Sequence, residues 1–324
     1  MAELIKISQI EDGIRLMRWF LKNYPGLSSR EFYKLCRGGQ IRVNSSRCRG
    51  NESLVAGDVI RIPPTLNSYK DVQKSDNRQQ SGEMFSLSDL ESLRECIIHS
   101  DDDIVVFNKP AGMAVQGGTG VKKSIDKMAA ALFPYHKISL VHRLDKETSG
   151  LLVVAKNQNA AKSLAAQFQN KTARKEYVAL LNGIVSARSG VIDNFVIKGQ
   201  VFEDAINIPN DIKPQRAITE YRVLGTAHGV LSWVVFSPKT GRTHQLRLHS
   251  AYSLNAPIVG DDLYGITLVE KNSAIKSLLS TKNLFLFAYK ITFVHPGTHK
   301  PITLRAPVPD FMQSVMKLLE FQLP

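Results

Sequence analysis

The sequence predicts an α+β protein made of a small N-terminal domain, a linker and a larger domain. Three observations predict it. Two amphipathic helical segments followed by short strands occupy residues 1–64, which is small but sufficient for an independent domain. Residues 65–89 are polar and lack hydrophobic periodicity, the pattern of a flexible linker. Residues 90–324 set pairs of short apolar runs among longer helical patterns, within the length of one large domain.

The elements follow in order. Ile14, Met17, Phe20 and Leu21 share one face of a helix over residues 13–23, with Arg15, Arg18 and Lys22 largely elsewhere. Ser28 and Glu31 form a capping box ahead of a helix from Ser29 to Arg37, and Gly38-Gly39 ends it. Gln40 to Asn44 alternates as a strand, Gly57-Asp58 marks a turn, and Val59 to Ile62 is a second strand closed by Pro63-Pro64. In the large domain, Cys96 to His99 and Ile104 to Phe107 read as strands around Asp101-Asp102-Asp103. That acidic run suits a hairpin turn better than a metal site, because Asp is a turn residue. Asn108 to Gly112 and Gly117 to Gly120 are tight loops, and no lysine follows in the spacing of a nucleotide-binding P-loop. Helices are predicted over Lys122 to Phe133, Asn157 to Gln169 and from Asp310 onward. Strands are predicted over Val178 to Leu181, Thr219 to Leu224 and Leu231 to Phe236, with a last hairpin of Leu284 to Val294 and Pro301 to Ala306.

Composition narrows the function. A net charge of +13 favours a polyanionic partner. No basic amphipathic helix with a clean apolar face stands out, so nucleic acid is expected rather than a membrane. Cys36, Cys48 and Cys96 are odd in number and far apart, which suits reduced thiols and neither a disulfide framework nor a Cys-x-x-Cys metal site. No secretory core opens the chain and no apolar run has the length of a membrane span, so a soluble, cytoplasmic protein is expected. His244 and His249 are five residues apart, which does not stack two zinc ligands on one helical face.

One decade stands apart. It is Val141-His142-Arg143-Leu144-Asp145-Lys146-Glu147-Thr148-Ser149-Gly150, which joins the apolar run that begins at Ile138 to the run Leu151 to Ala155. A polar connection at the edge of a core is where catalytic groups tend to sit. An extended chain here puts Arg143 and Asp145 on one face and His142 and Leu144 on the other. Taken alone, Arg143 and Asp145 read as a structural ion pair beside a turn. The whole string His-Arg-Leu-Asp-x-x-Thr-Ser-Gly resembles the signature of the RluA family of pseudouridine synthases. Lys175-Glu176-Tyr177, Thr240-Gly241-Arg242-Thr243-His244-Gln245-Leu246-Arg247 and Pro257 to Gly265 extend the likeness over nearly the whole chain. Gln116 stands where compared members often carry His. Ser29-Arg30 through Arg37-Gly38-Gly39 to Val43-Asn44 resembles the alpha-L RNA-binding motif.

The resemblance implies a mixed-sheet catalytic domain over residues 90–324 and an alpha-L-type RNA-binding domain over residues 1–64. It implies that Asp145 is the essential catalytic carboxylate, that Arg247 pairs with it, that Tyr177 packs on the target base and that Arg143 fills the place the base leaves. Arg30, Lys34, Arg37 and Arg42 would meet RNA phosphates. The activity implied is isomerisation of uridine to pseudouridine in large-subunit (23S) ribosomal RNA. Such an isomerisation needs no redox step and no group donor, so no cofactor and no metal are expected, and a monomer is the default. The alternatives are a non-catalytic RNA-binding ribosome-assembly factor that keeps the fold, and a hydrolase, for which no second carboxylate stands out.

Overall fold

A computed structural model describes residues 3–8, 11–24, 27, 29–69, 85–118, 121–197, 200–203, 215–265 and 283–324. The chain divides into two compact units, Met1–Glu83 and Met84–Pro324.

The first unit contains β1 (Glu3–Lys6), α1 (Leu16–Asn23), α2 (Ser29–Arg37), β2 (Arg42–Val43), β3 (Ser46–Arg47) and β4 (Val59–Ile62). Its sheet runs β1-β4-β2-β3, with every described pairing antiparallel. Leu16, Trp19 and Phe20 of α1 and Phe32 and Cys36 of α2 are buried together with Ile60 and Ile62. The helix starts at Leu16, not residue 13, and of the predicted stripe Phe20 is buried while Ile14 and Met17 are half-buried, because Leu16 and Trp19 take the inner face. The expected cap at Ser28 lies outside the described residues. The predicted linker differs at both ends. Pro64–Tyr69 forms a 3-10 turn, and Ser86 caps a helix with a reciprocal Ser86–Asp89 box. Residues 70–84 lie outside the description.

The second unit contains α3 (Leu87–Glu95), β5 (Ile97–Ser100), β6 (Ile104–Lys109), α4 (Ile125–Leu132), β7 (Ser139–Leu140), β8 (Ser149–Ala155), α5 (Gln158–Gln169), β9 (Arg174–Asn182), β10 (Ser189–Ile197), β11 (Gln200–Phe202), β12 (Gln215–Ala227), β13 (Leu231–Pro238), α6 (Gln245–Leu248), β14 (Leu286–Val294), β15 (Pro301–Arg305) and α7 (Asp310–Leu318). Among the described residues eleven strands form one sheet whose main path is β11-β10-β12-β13-β9-β14-β8-β6-β5. The sheet is mixed, because β14 meets β8 in parallel while its other neighbours are antiparallel. Buried Val178, Leu180, Val234, Phe236, Phe285 and Phe287 belong to the main core, and Phe107, Leu152 and Met128 belong to a second cluster.

Strand β10 is absent from the sequence reading. Ile192, Asn194 and Val196 alternate inward, but the middle position is polar, which hides the period of two. Asn194 is tolerated there because His249 and Ser253 satisfy it.

The seam between β14 and β8 positions the site. Gly150 pairs with Ala288, and Ala288 pairs with Tyr177 across β9. Gly150 has φ +111°, and a Cβ there would collide with the Ala288 carbonyl. The glycine that ends the signature decade is therefore the residue that lets two strands close, and it carries the decade to the row of Tyr177.

Candidate active site

Residues 141–148 are a loop, as expected of a polar connection at the edge of a core. Strand β7 pairs Leu140 with Val154 and then stops. At the next rung the Val153 N–H is taken by His142 Nε2 at 2.9 Å. A side chain thus replaces a backbone rung, and the main chain is free to leave the sheet. His142 also stacks on Phe168, with ring centroids 4.5 Å apart. Burial, with the charge of Lys175 adding, lowers its pKa to about 3, so it stays a neutral acceptor.

The far side of the loop hangs from Lys109. This fully buried lysine donates to the carbonyls of Pro110 (2.9 Å), Met113 (2.9 Å) and Lys146 (2.8 Å). Gly112 N–H donates to the same Lys146 carbonyl at 2.9 Å. Burial lowers the pKa of Lys109 to about 7, against the pull of Glu147 and Asp145, while three carbonyl acceptors match the three N–H bonds of its charged form. The sequence reading passes over Lys109. The available signal is a lysine at the end of an apolar run, Ile104 to Lys109, where a core position wants a partner.

The loop delivers Arg143 and Asp145 to a cleft of about 480 Å³, and β9 and α6 deliver Tyr177 and Arg247 to the same cleft. All four residues named from the sequence for catalysis and substrate binding come together. Asp145 is half-buried, and its carboxylate makes no hydrogen bond or ion pair among the described residues. Arg143 is exposed at the rim. Burial, with the charge of Asp145 adding, pushes the Tyr177 phenol well above its usual pKa, so Tyr177 is a protonated aromatic wall and no base at neutral pH.

Arg247 differs from expectation. Its guanidinium forks onto Asp261 at 2.8 and 2.6 Å, with Asp262 at 3.3 Å, and does not form the expected hydrogen-bonded pair with Asp145. Asp261 also accepts the N–H groups of Leu263 and Tyr264. The physical reason is enclosure. Both side chains of the Arg247–Asp261 pair are almost fully buried, at 4% and 0% exposure, and a buried guanidinium needs a bidentate anion at hand. Burial works against the charged form of Arg247, but the hydrogen bonds and charge of Asp261 outweigh it and raise the pKa, with Asp145 and Asp262 adding. Arg247 is therefore a fixed positive charge within electrostatic reach of Asp145. Its partner Asp261 sits in the Pro257 to Gly265 stretch, where the sequence offered a likeness but no role.

The Thr240 to His249 stretch is stitched to the sheet by polar side chains. Gln245 Oε1 accepts from the Thr240 hydroxyl and the Arg242 N–H, and its Nε2 donates to Ile218 O and Thr219 Oγ1. His249 is buried between Thr219 and Asn194. Burial lowers its pKa to about 4. His244, at φ +54°, meets Tyr264 instead. The two histidines therefore point to different partners.

Among the described residues, His99, Asp101 and His295 place potential metal-ligand atoms within 4.8 Å of one another. His295 Nδ1 accepts from the N–H groups of Gly297 and Thr298, so the proton of the neutral ring sits on Nε2, facing Asp101 Oδ2 at 2.8 Å. His99 Nε2 meets the same oxygen at 2.8 Å. Metal binding at His295 Nε2 would displace that proton and disturb the two turn hydrogen bonds to Nδ1. The cluster is a hydrogen-bonded clip between two turns, at the Ile104–Ala155 end of the β6–β8 pair, opposite the Lys109–Gly150 end that carries the site.

In the first unit Lys34 and Arg37 are exposed on α2, and Arg42 donates to the carbonyls of Gly39 and Ser45 at 3.2 Å each. The Arg30 side chain lies outside the described residues.

Comparison with known proteins places this geometry. The profile of the RNA pseudouridylate synthase family matches residues 103–252, which include Arg143, Asp145, Tyr177 and Arg247. A ribosomal large subunit pseudouridine synthase C of Vibrio vulnificus is 34% identical over 98% of this chain and 96% of its own length. The chain belongs to the RNA pseudouridylate synthase family. Its reaction class is thus isomerisation of uridine in RNA. Further relatives of the same name, from Vibrio cholerae and Escherichia coli K12, are 33% and 31% identical over 97% and 98% of this synthase. The fold agrees with two solved human structures. RNA Pseudouridylate Synthase Domain Containing 4 has a TM-score of 0.61 at 24% identity over 72% of this chain and 97% of its own. RNA Pseudouridylate Synthase Domain Containing 1 has 0.52 at 26% identity over 66% and 83%. No helix among the described residues is long and apolar enough to cross a membrane.

Proposed function

We propose that this synthase isomerises uridine to pseudouridine in large-subunit ribosomal RNA, with Asp145 as its essential carboxylate. The observation that carries the reading is the Asp145 carboxylate itself, half-buried in a cleft walled by Tyr177 and Arg247 and without a hydrogen-bonding partner among the described residues. The names of the relatives, ribosomal large subunit pseudouridine synthase C, support the substrate class, as does a net charge of +13.

The reaction breaks the bond from the sugar to uracil N1 and makes one to C5. Atoms balance within the nucleoside, so the chain's own residues suffice. The target base must first leave its stack, at a cost of roughly a few kcal/mol. Tyr177 offers the base an apolar face, and Arg143 at the rim fills the gap behind it. Asp145 supplies the anion that engages the freed nucleoside. Arg247, immobilised by Asp261, orients Asp145 through its field. Lys34, Arg37 and Arg42, with Arg30, hold RNA phosphates from the N-terminal domain of residues 1–64. The stretch between the Pro64–Tyr69 turn and the Ser86 cap links that domain to the catalytic one, and the whole acts as a cytoplasmic monomer.

The rival reading is an assembly factor that only binds RNA. An unpaired carboxylate in the binding cleft repels phosphate and is of no use to such a factor. Release of tritium from uracil C5 in ribosomal RNA tests the choice, because that hydrogen is lost when C5 becomes the glycosidic carbon. The wild-type chain is expected to release it, and Asp145→Asn to lose about 10³-fold or more of the rate while still binding RNA. Comparable release by the variant would remove Asp145 from the mechanism.

A further inference from the structure

The cleft holds six basic side chains besides its histidine: Arg143, Lys171, Lys175, Lys239, Arg242 and Arg247. Three are engaged by the protein. Arg247 has Asp261, Lys239 has Glu220 at 2.6 Å, and Arg242 donates to Arg216 O and Gln215 Oε1. Arg143 and Lys171 are exposed and keep their water. Lys175 is the remaining one. It is half-buried, and no carboxylate or carbonyl accepts from its ammonium among the described residues. Its strand neighbour Glu176 faces the other way and pairs with Lys290 at 2.8 Å.

The alternation of β9 explains the placement. Lys175 and Tyr177 are two residues apart and share a face, so the ammonium lies on the same wall as the aromatic ring. Its charge also acts on the buried His142 ring, which sets it on the signature-loop side of that wall. Burial lowers the pKa of Lys175, the direction expected of an ammonium that has given up water without gaining an anion. A compact point charge of this kind suits a phosphate oxygen. A nucleotide that swings into the cleft brings its flanking phosphates with it.

We propose that Lys175 is a substrate-positioning residue that binds a phosphate flanking the extruded uridine. The role rests on the proposed activity. It locks the flipped nucleotide by its backbone, and so leaves the base free to detach and turn while the sugar stays in register with Asp145.

The test pairs a protein change with an RNA change. A fragment of large-subunit ribosomal RNA is synthesised around the uridine that the chain modifies, located by carbodiimide mapping, with tritium at C5. The phosphate on either side is replaced in turn by an uncharged methylphosphonate. For the wild-type chain, one of the two replacements is expected to lower kcat/KM about tenfold. In K175M that same replacement should cost almost nothing further, because the charge it met is already gone. K175R keeps the charge and should keep the sensitivity. K175Q serves the same comparison if K175M does not fold. Penalties that multiply independently at both phosphates overturn the role of Lys175 alone. A wild-type chain that releases no tritium from the unmodified RNA overturns the activity and this role with it.

Discussion

At the scale of single residues, the site is a contrast between groups that are satisfied and groups that are not. Lys109, Arg247 and Gln245 are buried and fully engaged, and each holds something else in place. Asp145 and Lys175 are half-buried and open to what enters. The contrast makes two predictions. Asp261→Asn leaves the buried Arg247 guanidinium without its bidentate partner and with only the exposed Asp262 at 3.3 Å, and breaking such a buried pair costs about 3–5 kcal/mol. Urea unfolding should show that loss, and tritium release should fall more than RNA affinity. An unchanged unfolding midpoint would mean that Arg247 finds another anion. Lys109→Met removes the ammonium's bonds to three carbonyls, of which only that of Lys146 keeps a second donor among the described residues, the Gly112 N–H, and a hydrogen bond to a charged group contributes about 1.5–3 kcal/mol. The expected result is a lower unfolding midpoint together with slower isomerisation. Full activity in a destabilised variant would show that the loop holds its shape without the lysine.

Elements meet at one narrow seam. β14 approaches β8 so closely at Ala288 that position 150 admits only glycine, both for space and for its φ of +111°. Gly150→Ala is therefore expected to lose about 2 kcal/mol or more, since strain at such a position adds to the collision. Gly118→Ala is the control, because a Cβ there has nothing within 4 Å. Thermal melts of the two variants side by side test the seam, and equal melting points would refute it. The same scale accounts for His142. Its ring nitrogen ends a ladder that the backbone abandons, and the loop that follows is the one carrying Asp145.

For the molecule as a whole, two buried histidines contribute to its sensitivity to acid. His142 and His249 have folded pKa values of about 3 and about 4, lowered first by burial, against an ordinary 6.5. The unfolded chain takes up their protons as pH falls through 6.5, and the folded chain does not until near 4 and 3. Their contribution is therefore complete above pH 6.5 and is lost on acidification, at up to ~1.4 kcal/mol per pH unit for each residue. Urea unfolding from pH 7 to 4 should show that fall, and His142→Phe should flatten it by nearly one proton. An identical slope in the variant would mean that His142 is protonated in the fold. The positive charge of the first unit makes a separate prediction. Lys34→Gln with Arg37→Gln should reduce the salt dependence of RNA binding by about one log-log unit per lost phosphate contact. An unreduced slope would take α2 off the RNA.

The signature decade, the Lys175 to Tyr177 pair and the Arg247 stretch could be read from the chain because each carries its chemistry in consecutive residues. Most helices and strands could be read from intact apolar periods, as in Gln158–Gln169 and Val59–Ile62, or from end signals, as at the Gly38-Gly39 stop of Ser29–Arg37. Strand β10 could not, because a buried Asn stands in its apolar period and its partner His249 lies 55 residues away. The same holds for the partner of Arg247, for the three carbonyls beneath Lys109 and for the role of Gly150. Sequence by itself determined which residues are chemically equipped to act on a nucleoside, since identity and local spacing are written in it. Only the tertiary structure decided which of those charges are spent inside the protein and which remain open, because a charge is neutralised by what lies nearest in space, and chain order does not record that distance.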